Sequence, residues 1–245
     1  MVRKRVFILI FSLTVLLLTQ CSKAPEKPDF KAIANLKERK QAFINYLVPF
    51  IHHTQIRIFN QRQQLLKINA DAIRGDVLTK AQIDLLEKLA QEYNVSFNRR
   101  QPSYSIFLLL RRINTIPTAM VLAQAALESG WGTSRFAVKG NNYFGQHCFT
   151  KGCGMVPRKR ASGASDEVQV FDSPQASVDA YFYLLNTGER FKKFRQMRAN
   201  ILRKNNRLSG KQLVSTLVHY SELDHGEYEK RLLLTMSHNN LYQYN

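Results

Sequence analysis

The stretch Ala123-Gln-Ala-Ala-Leu-Glu-Ser-Gly-Trp-Gly132 ends an otherwise uncharged, alanine-rich helical run with one carboxylate. Gly130 and Gly132 break the helix there, so Glu128 falls near the negative end of the helix dipole, where ionisation is disfavoured. Trp131, three residues on, is placed to cover the carboxyl with an apolar ring and exclude water. Desolvation and the dipole both push the pKa upward. An acid still protonated near neutral pH is what cleavage of a glycosidic bond needs, because the leaving oxygen must receive a proton. Gln124 lies four residues earlier on the same helical face, where it can orient the acid or bind a sugar amide. The competing reading of Glu128 is a solvated glutamate at a frayed helix end.

Other residues nearby fit a sugar-binding groove. Trp131 and Tyr143 are candidates for stacking on pyranose faces, with Phe144 expected in the core. Asn142 is a candidate polar contact, although Asn141-Asn142 also fits a turn with left-handed backbone. Cys148 and Cys153 form a C-x4-C pair that in an oxidising compartment reads as a short-loop disulfide. His147 beside Cys148 invites zinc, but no second ligand pair follows at a zinc spacing, so no metal is expected.

These residues need elements to hold them. The helical pattern from about 34 to 68 carries Phe43, Tyr46, Leu47 and Phe50 on one face, and Pro49 is expected to kink or divide it. Thr79 to Gln82 reads as a capping box opening a second helix. Apolar helices follow over 105–113 and from Thr118 to Glu128, the latter led by Pro117. Glu167-Val-Gln-Val-Phe171 is the best strand, with turn residues at 161–166 before it, so a small β-hairpin is expected. Helices then restart at Ser173-Pro174, after a second capping box at Ser209 to Gln212, and over about 227–238. The fold class is therefore α+β, mostly α.

The N-terminus speaks to compartment. Arg3, Lys4 and Arg5 precede an apolar run from Val6 to Leu18, the order of a secretory signal over residues 1–20 and too short for a comfortable bilayer span. Leu18-Thr19-Gln20-Cys21 resembles a lipobox except at Gln20, which makes Cys21 a candidate lipidation site. Residues 21–33 read as a tether, 34–101 as a helical layer or spacer, and 102–245 as the part that carries chemistry. The formal net charge is +18 over 245 residues, and loss of the three basic residues of the signal leaves +15. Such a charge draws a chain to anionic polymer or lipid, and in an exported chain that means wall or membrane surface rather than nucleic acid. The run Arg190 to Arg195, continuing through Arg203, Lys204 and Arg207, is the candidate contact face. A hydrophobic content of 44% excludes a mostly disordered chain. Only 11 glycines and 7 prolines exclude a collagen-like one, and a single apolar segment excludes a polytopic membrane protein.

Ala123 through Ser134, followed by Asn141-Asn-Tyr-Phe-Gly145, resembles the bacterial glucosaminidase family, peptidoglycan hydrolases related to mannosyl-glycoprotein endo-β-N-acetylglucosaminidase. The runs Gly145 to Gly154 and Val218-His-Tyr-Ser-Glu222 are similar to its Bax-type subgroup. The resemblance spans roughly residues 102–245. It implies a lysozyme-like fold, hydrolysis of β-1,4 bonds in peptidoglycan glycan strands, no cofactor and no amidase activity. It places the catalytic glutamate on Glu128 and the β-lobe glutamate on Glu167, with Asp166 beside it. It puts a groove-floor tyrosine on Tyr220, although the interval to Tyr228 is longer than in the wider family. Two rivals remain on the sequence: a lytic transglycosylase, and a catalytically silent wall-binding protein.

Overall fold

The computed structural model describes residues 25–158, 160, 163, 165–204, 207–221 and 225–245. The expected signal segment and Cys21 lie outside the described residues. Among those described, the first helix, α1 (Leu36–Arg74), is 39 residues long, or about 58 Å at the usual rise. Asn35 caps it, its Oδ1 accepting from the amides of Lys37 and Glu38 at 2.9 and 3.2 Å, and Gly75 closes it at φ 81°. Pro49 sits inside this helix without dividing it. Proline removes one backbone donor, but Phe43, Ile44, Tyr46, Leu47, Phe50 and Ile51 are buried on either side of it, and that packing outweighs the lost bond.

The Thr79 capping box forms as expected, with Thr79 N donating to Gln82 Oε1 at 2.8 Å and Gln82 N donating to Thr79 Oγ1 at 3.3 Å. It opens α2 (Lys80–Glu92), followed by α3 (Pro102–Arg112) and α4 (Thr118–Ser129). Ten of the twelve residues of α4 are buried, so this helix is surrounded rather than amphipathic. Helices α1 and α9 (His225–His238) pack against it, and α1 also packs on α3 and on α6 (Pro174–Thr187). The N-terminal helices are thus a layer packed on the C-terminal ones, and one continuous core runs from Phe30 to Leu241.

The β element is larger than a hairpin. Strands β1 (His147–Cys148), β2 (Gly154–Met155) and β3 (Glu167–Gln169) form an antiparallel sheet in the order β1-β3-β2. Cys148 pairs with Glu167, and the Cys148–Cys153 disulfide ties the loop between β1 and β2. The short α5 (Arg135–Gly140) leads into this lobe. After α6, a 3-10 turn and α7 (Lys192–Arg203) precede α8 (Gly210–Leu213). The second expected helix start is present, with Ser209 N donating to Gln212 Oε1 at 3.0 Å, but its helix tightens to a 3-10 turn after four residues. The chain is mostly α with one small sheet, the lysozyme-like α+β class expected of it.

Two segments differ from their sequence readings. Residues 27–30, read as tether, are docked: Lys27 Nζ donates to the Ala137 and Val138 carbonyls at 2.6 and 2.9 Å and to Asn141 Oδ1 at 3.0 Å. Phe30 is 2% exposed and packs edge-on against Phe43 and Tyr46. In the basic run, Arg195 turns inward and donates to the carbonyls of Leu185 and Gly188 at 3.1 and 2.7 Å. Its neighbour Arg198 is fully buried and donates to the Asn114, Thr115 and Arg111 carbonyls and to Asn186 Oδ1. These guanidiniums satisfy carbonyls left open at helix ends and just beyond them. No helix among the described residues is long and apolar enough to cross a membrane.

Candidate active site

Glu128 occupies the last turn of α4, which Gly130 stops in a left-handed conformation at φ 56°. The turn is held by Ser129, whose Oγ donates to Ala125 O at 2.6 Å and accepts from Gly132 N at 2.9 Å. The carboxyl is half-buried. Its Oε1 accepts a hydrogen bond from the Tyr228 hydroxyl at 2.9 Å. Its Oε2 lies against the backbone at Gly145, where a Cβ would come within 3.3 Å of it. Gly145 is at φ +65°, so the glycine serves both the turn and the room it leaves beside the acid. Burial raises the pKa of Glu128, and the Tyr228 hydrogen bond opposes that rise.

Gln124, one turn earlier, is fully buried. Its Nε2 donates to the Tyr228 hydroxyl oxygen at 3.0 Å, while its Oε1 accepts from the Tyr181 hydroxyl. It therefore orients the acid through Tyr228 and presents no surface to a sugar. In the sequence Tyr228 and Tyr181 lie in amphipathic helical patterns, which give no sign of where their hydroxyls go. Both are buried, and burial raises both phenol pKa values. Tyr220 stands beside the acid rather than on it. Its hydroxyl donates to Phe144 O at 2.9 Å, and its ring lies parallel to that of Tyr228 at 6.2 Å between centroids. Phe144 is buried as expected and stacks on Tyr181 at 4.2 Å.

The other expected contacts sit elsewhere. Trp131, at φ 57°, packs on α1, with its ring edge-on to Phe43 at 5.7 Å and Lys40 Nζ 4.9 Å from its centroid. Asn142 is 1% exposed and fully engaged. Its Nδ2 donates to the Gln146 and Gln169 carbonyls, and its Oδ1 accepts from Phe144 N and Gln146 N. It locks the turn before β1 to β3, so direct sugar contact does not fit its burial. Tyr143 is likewise buried, among Phe43 and Tyr46.

Glu167, 5% exposed, spends both oxygens on backbone: Oε1 accepts from Gly152 N at 3.0 Å and Oε2 from Gly154 N at 2.9 Å. Those two amides hold its carboxyl below the usual range. Asp166 pairs with His147 Nδ1 at 2.7 Å. Among the described residues no group of three or more His, Cys, Asp or Glu could hold a metal ion. Two cavities, of about 480 and 250 Å³, are lined by residues other than Glu128, the first including His52, Gln55 and Thr118, the second Arg57, Glu92 and Asp179.

What this arrangement can do is raise the pKa of one half-buried carboxylic acid in a turn, with one oxygen held by a tyrosine and the other left beside a bare glycine. The model of a family described as mannosyl-glycoprotein endo-beta-N-acetylglucosaminidase matches residues 105–241. Protein bax of Escherichia coli (strain K12) is 31% identical over 200 residues, which cover 82% of this chain and 70% of that protein. No solved structure matches. With a family model over more than half its length and this relative over most of it, the chain belongs to the glucosaminidase family of glycoside hydrolases, as a Bax-type member.

Proposed function

We propose that this chain is an exported hydrolase of β-1,4 glycosidic bonds in the glycan of peptidoglycan, with Glu128 as general acid. The observation that carries it is the half-buried carboxyl with raised pKa, held at Oε1 by Tyr228 and unencumbered by any side chain at position 145. In the reaction, Glu128 gives its proton to the glycosidic oxygen while the bond from that oxygen to the anomeric carbon breaks. The bonding pair leaves with the oxygen, and positive charge develops on the sugar ring. Water, or the substrate's own acetamido oxygen followed by water, takes up the anomeric carbon. A proton from that water restores the acid.

Glu167 is ionised and fixes the disulfide loop through Gly152 and Gly154, and Tyr220 holds the backbone at Phe144, next to Gly145. Export rests on the signal pattern over residues 1–20, and Cys21 is the candidate anchor. Exposed Arg190, Lys192, Lys193 and Arg203 offer a contact face to anionic wall or lipid.

The test is digestion of purified sacculi by the full chain. The wild type releases fragments with new reducing ends, each heavier by one water per bond cut, and Glu128→Gln abolishes the release. Ring-closed anhydro products would identify a lytic transglycosylase instead. Binding of sacculi without turnover, equal in both proteins, would identify a wall-binding protein and overturn the reading.

A further inference from the structure

The hydrogen bonds around Glu128 form a chain with only one satisfactory direction. The Tyr181 hydroxyl has Gln124 Oε1 as its hydrogen-bond partner and no other among the described residues. A phenol carries one proton, so that proton goes to Oε1. The carboxamide then has only its amino group left for Tyr228, and Nε2 donates to the Tyr228 oxygen at 3.0 Å. Tyr228 in turn has its single proton free for Glu128 Oε1, at 2.9 Å. Reversing the chain would turn the Gln124 amide over and strand the Tyr181 proton in a fully buried position with no acceptor, a costly arrangement.

We infer that Tyr181 is a positioning residue for the glycosidase reaction: through Gln124 and Tyr228 it sets the direction of the chain, so that Glu128 Oε1 only accepts and the transferable proton sits on Oε2. This inference rests on the general-acid reading of Glu128 given above. Its structural basis spans three helices. Tyr181 comes from α6, Gln124 from α4 and Tyr228 from α9, and the Tyr181 ring is locked by stacking on Phe144. The proton is thereby directed to the oxygen beside Gly145, where position 145 itself places no side chain. Among the described residues, the titratable groups that face the carboxyl are Tyr181 from α6, Tyr220 from the segment before α9 and Tyr228 from α9, all kept neutral by burial. The strand-side loop contributes the backbone of Gly145.

The measurement is the titration of Glu128 by carbon NMR of the full chain with 13C-carboxyl-labelled glutamate, the resonance being identified by its loss in Glu128→Gln. Tyr181→Phe keeps the ring and removes the proton. With the chain no longer directed, Tyr228 donates more weakly, and the Glu128 titration moves up by about half a pH unit. In sacculus digestion kcat falls by about fivefold to tenfold with KM unchanged. Tyr228→Phe moves the titration further, and adding Tyr181→Phe to it produces no further shift, because Tyr181 acts only through Tyr228. An unmoved Glu128 titration in a folded Tyr181→Phe protein overturns the inference, as does an additive shift in the double variant. The NMR readout needs no turnover, so wild-type protein inert toward sacculi would sink the functional reading and leave the direction of the chain to be decided separately.

Discussion

Tyr228 and Glu128, one hundred residues apart in the chain, meet through a single hydrogen bond of 2.9 Å from phenol to carboxyl. That bond opposes the effect of burial on the acid. Tyr228→Phe therefore raises the Glu128 pKa further and frees Oε1 to rotate. The expected result is a loss of about tenfold in kcat, with the alkaline limb of the pH–rate profile displaced to higher pH. A profile unchanged in position would show that the bond does not tune the acid.

Glu128 also costs the fold stability when ionised. Its folded-state pKa lies above that of the unfolded chain, so the penalty is absent at low pH, where both states are protonated. It grows as pH rises through the unfolded-state value and is complete above the folded-state one. Glu128→Gln should therefore melt higher than wild type at pH 8, and the difference should vanish below about pH 4, where even an unfolded glutamate is largely protonated. Thermal melts at the two pH values check both the sign and the window.

Glu167 behaves in the opposite way. Two amides favour its ionised form, so its contribution is present above the unfolded-state pKa and is lost as pH falls through the depressed folded-state value. Glu167→Gln should speed hydrogen exchange at the amides of Gly152 and Gly154 near neutral pH, with little change at amides of α4. A drop in kcat without loosening of this loop would instead give Glu167 a direct part in the reaction.

Gly132 and Gly75 allow backbone strain to be separated from packing. Both have strongly positive φ, at +79° and +81°, but a Cβ at 132 would run into the Phe30 ring while one at 75 meets nothing within 4 Å. Gly75→Ala should cost about 1 kcal/mol, from conformation alone. Gly132→Ala should cost about 3 kcal/mol, because Phe30 must also move. Urea denaturation of the two variants measures the difference.

Arg198 offers a test of the inward basic residues. Its two terminal nitrogens serve five acceptors, three from Nη1 and two from Nη2, a geometry an ammonium cannot copy. Arg198→Lys should destabilise the chain by about 3 kcal/mol, whereas exposed Lys193→Ala should stay within about 0.5 kcal/mol.

The helix end that holds Glu128 is legible in the sequence because its signals are local: an uncharged helix, one carboxylate and two glycines within five residues. The helix starts at Thr79 and Ser173 lie equally close in sequence to the amides they satisfy. Tyr181 and Tyr228 are hidden because they share the helical phase of core residues such as Leu185 and Leu232, and only the tertiary fold brings their hydroxyls to Gln124. Trp131 is expected over the carboxyl, but a left-handed backbone turns it toward α1. Arg195 looks like one more solvated cation, since nothing in a count of charges reveals which carbonyls a neighbouring helix leaves open. Pro49 misleads for a different reason: propensity is a local preference, and burial on both sides of it overrides that preference.

The unbroken core from Phe30 to Leu241 has a practical consequence. The family's imprint covers residues 105–241, yet its buried apolar side chains share that core with Phe43, Phe50, Ile51 and Ile58 of α1. Trimming the polypeptide to that imprint would strip one wall from the molecule. The catalytic half is no detachable cassette, and grafting experiments must carry the long first helix along with it.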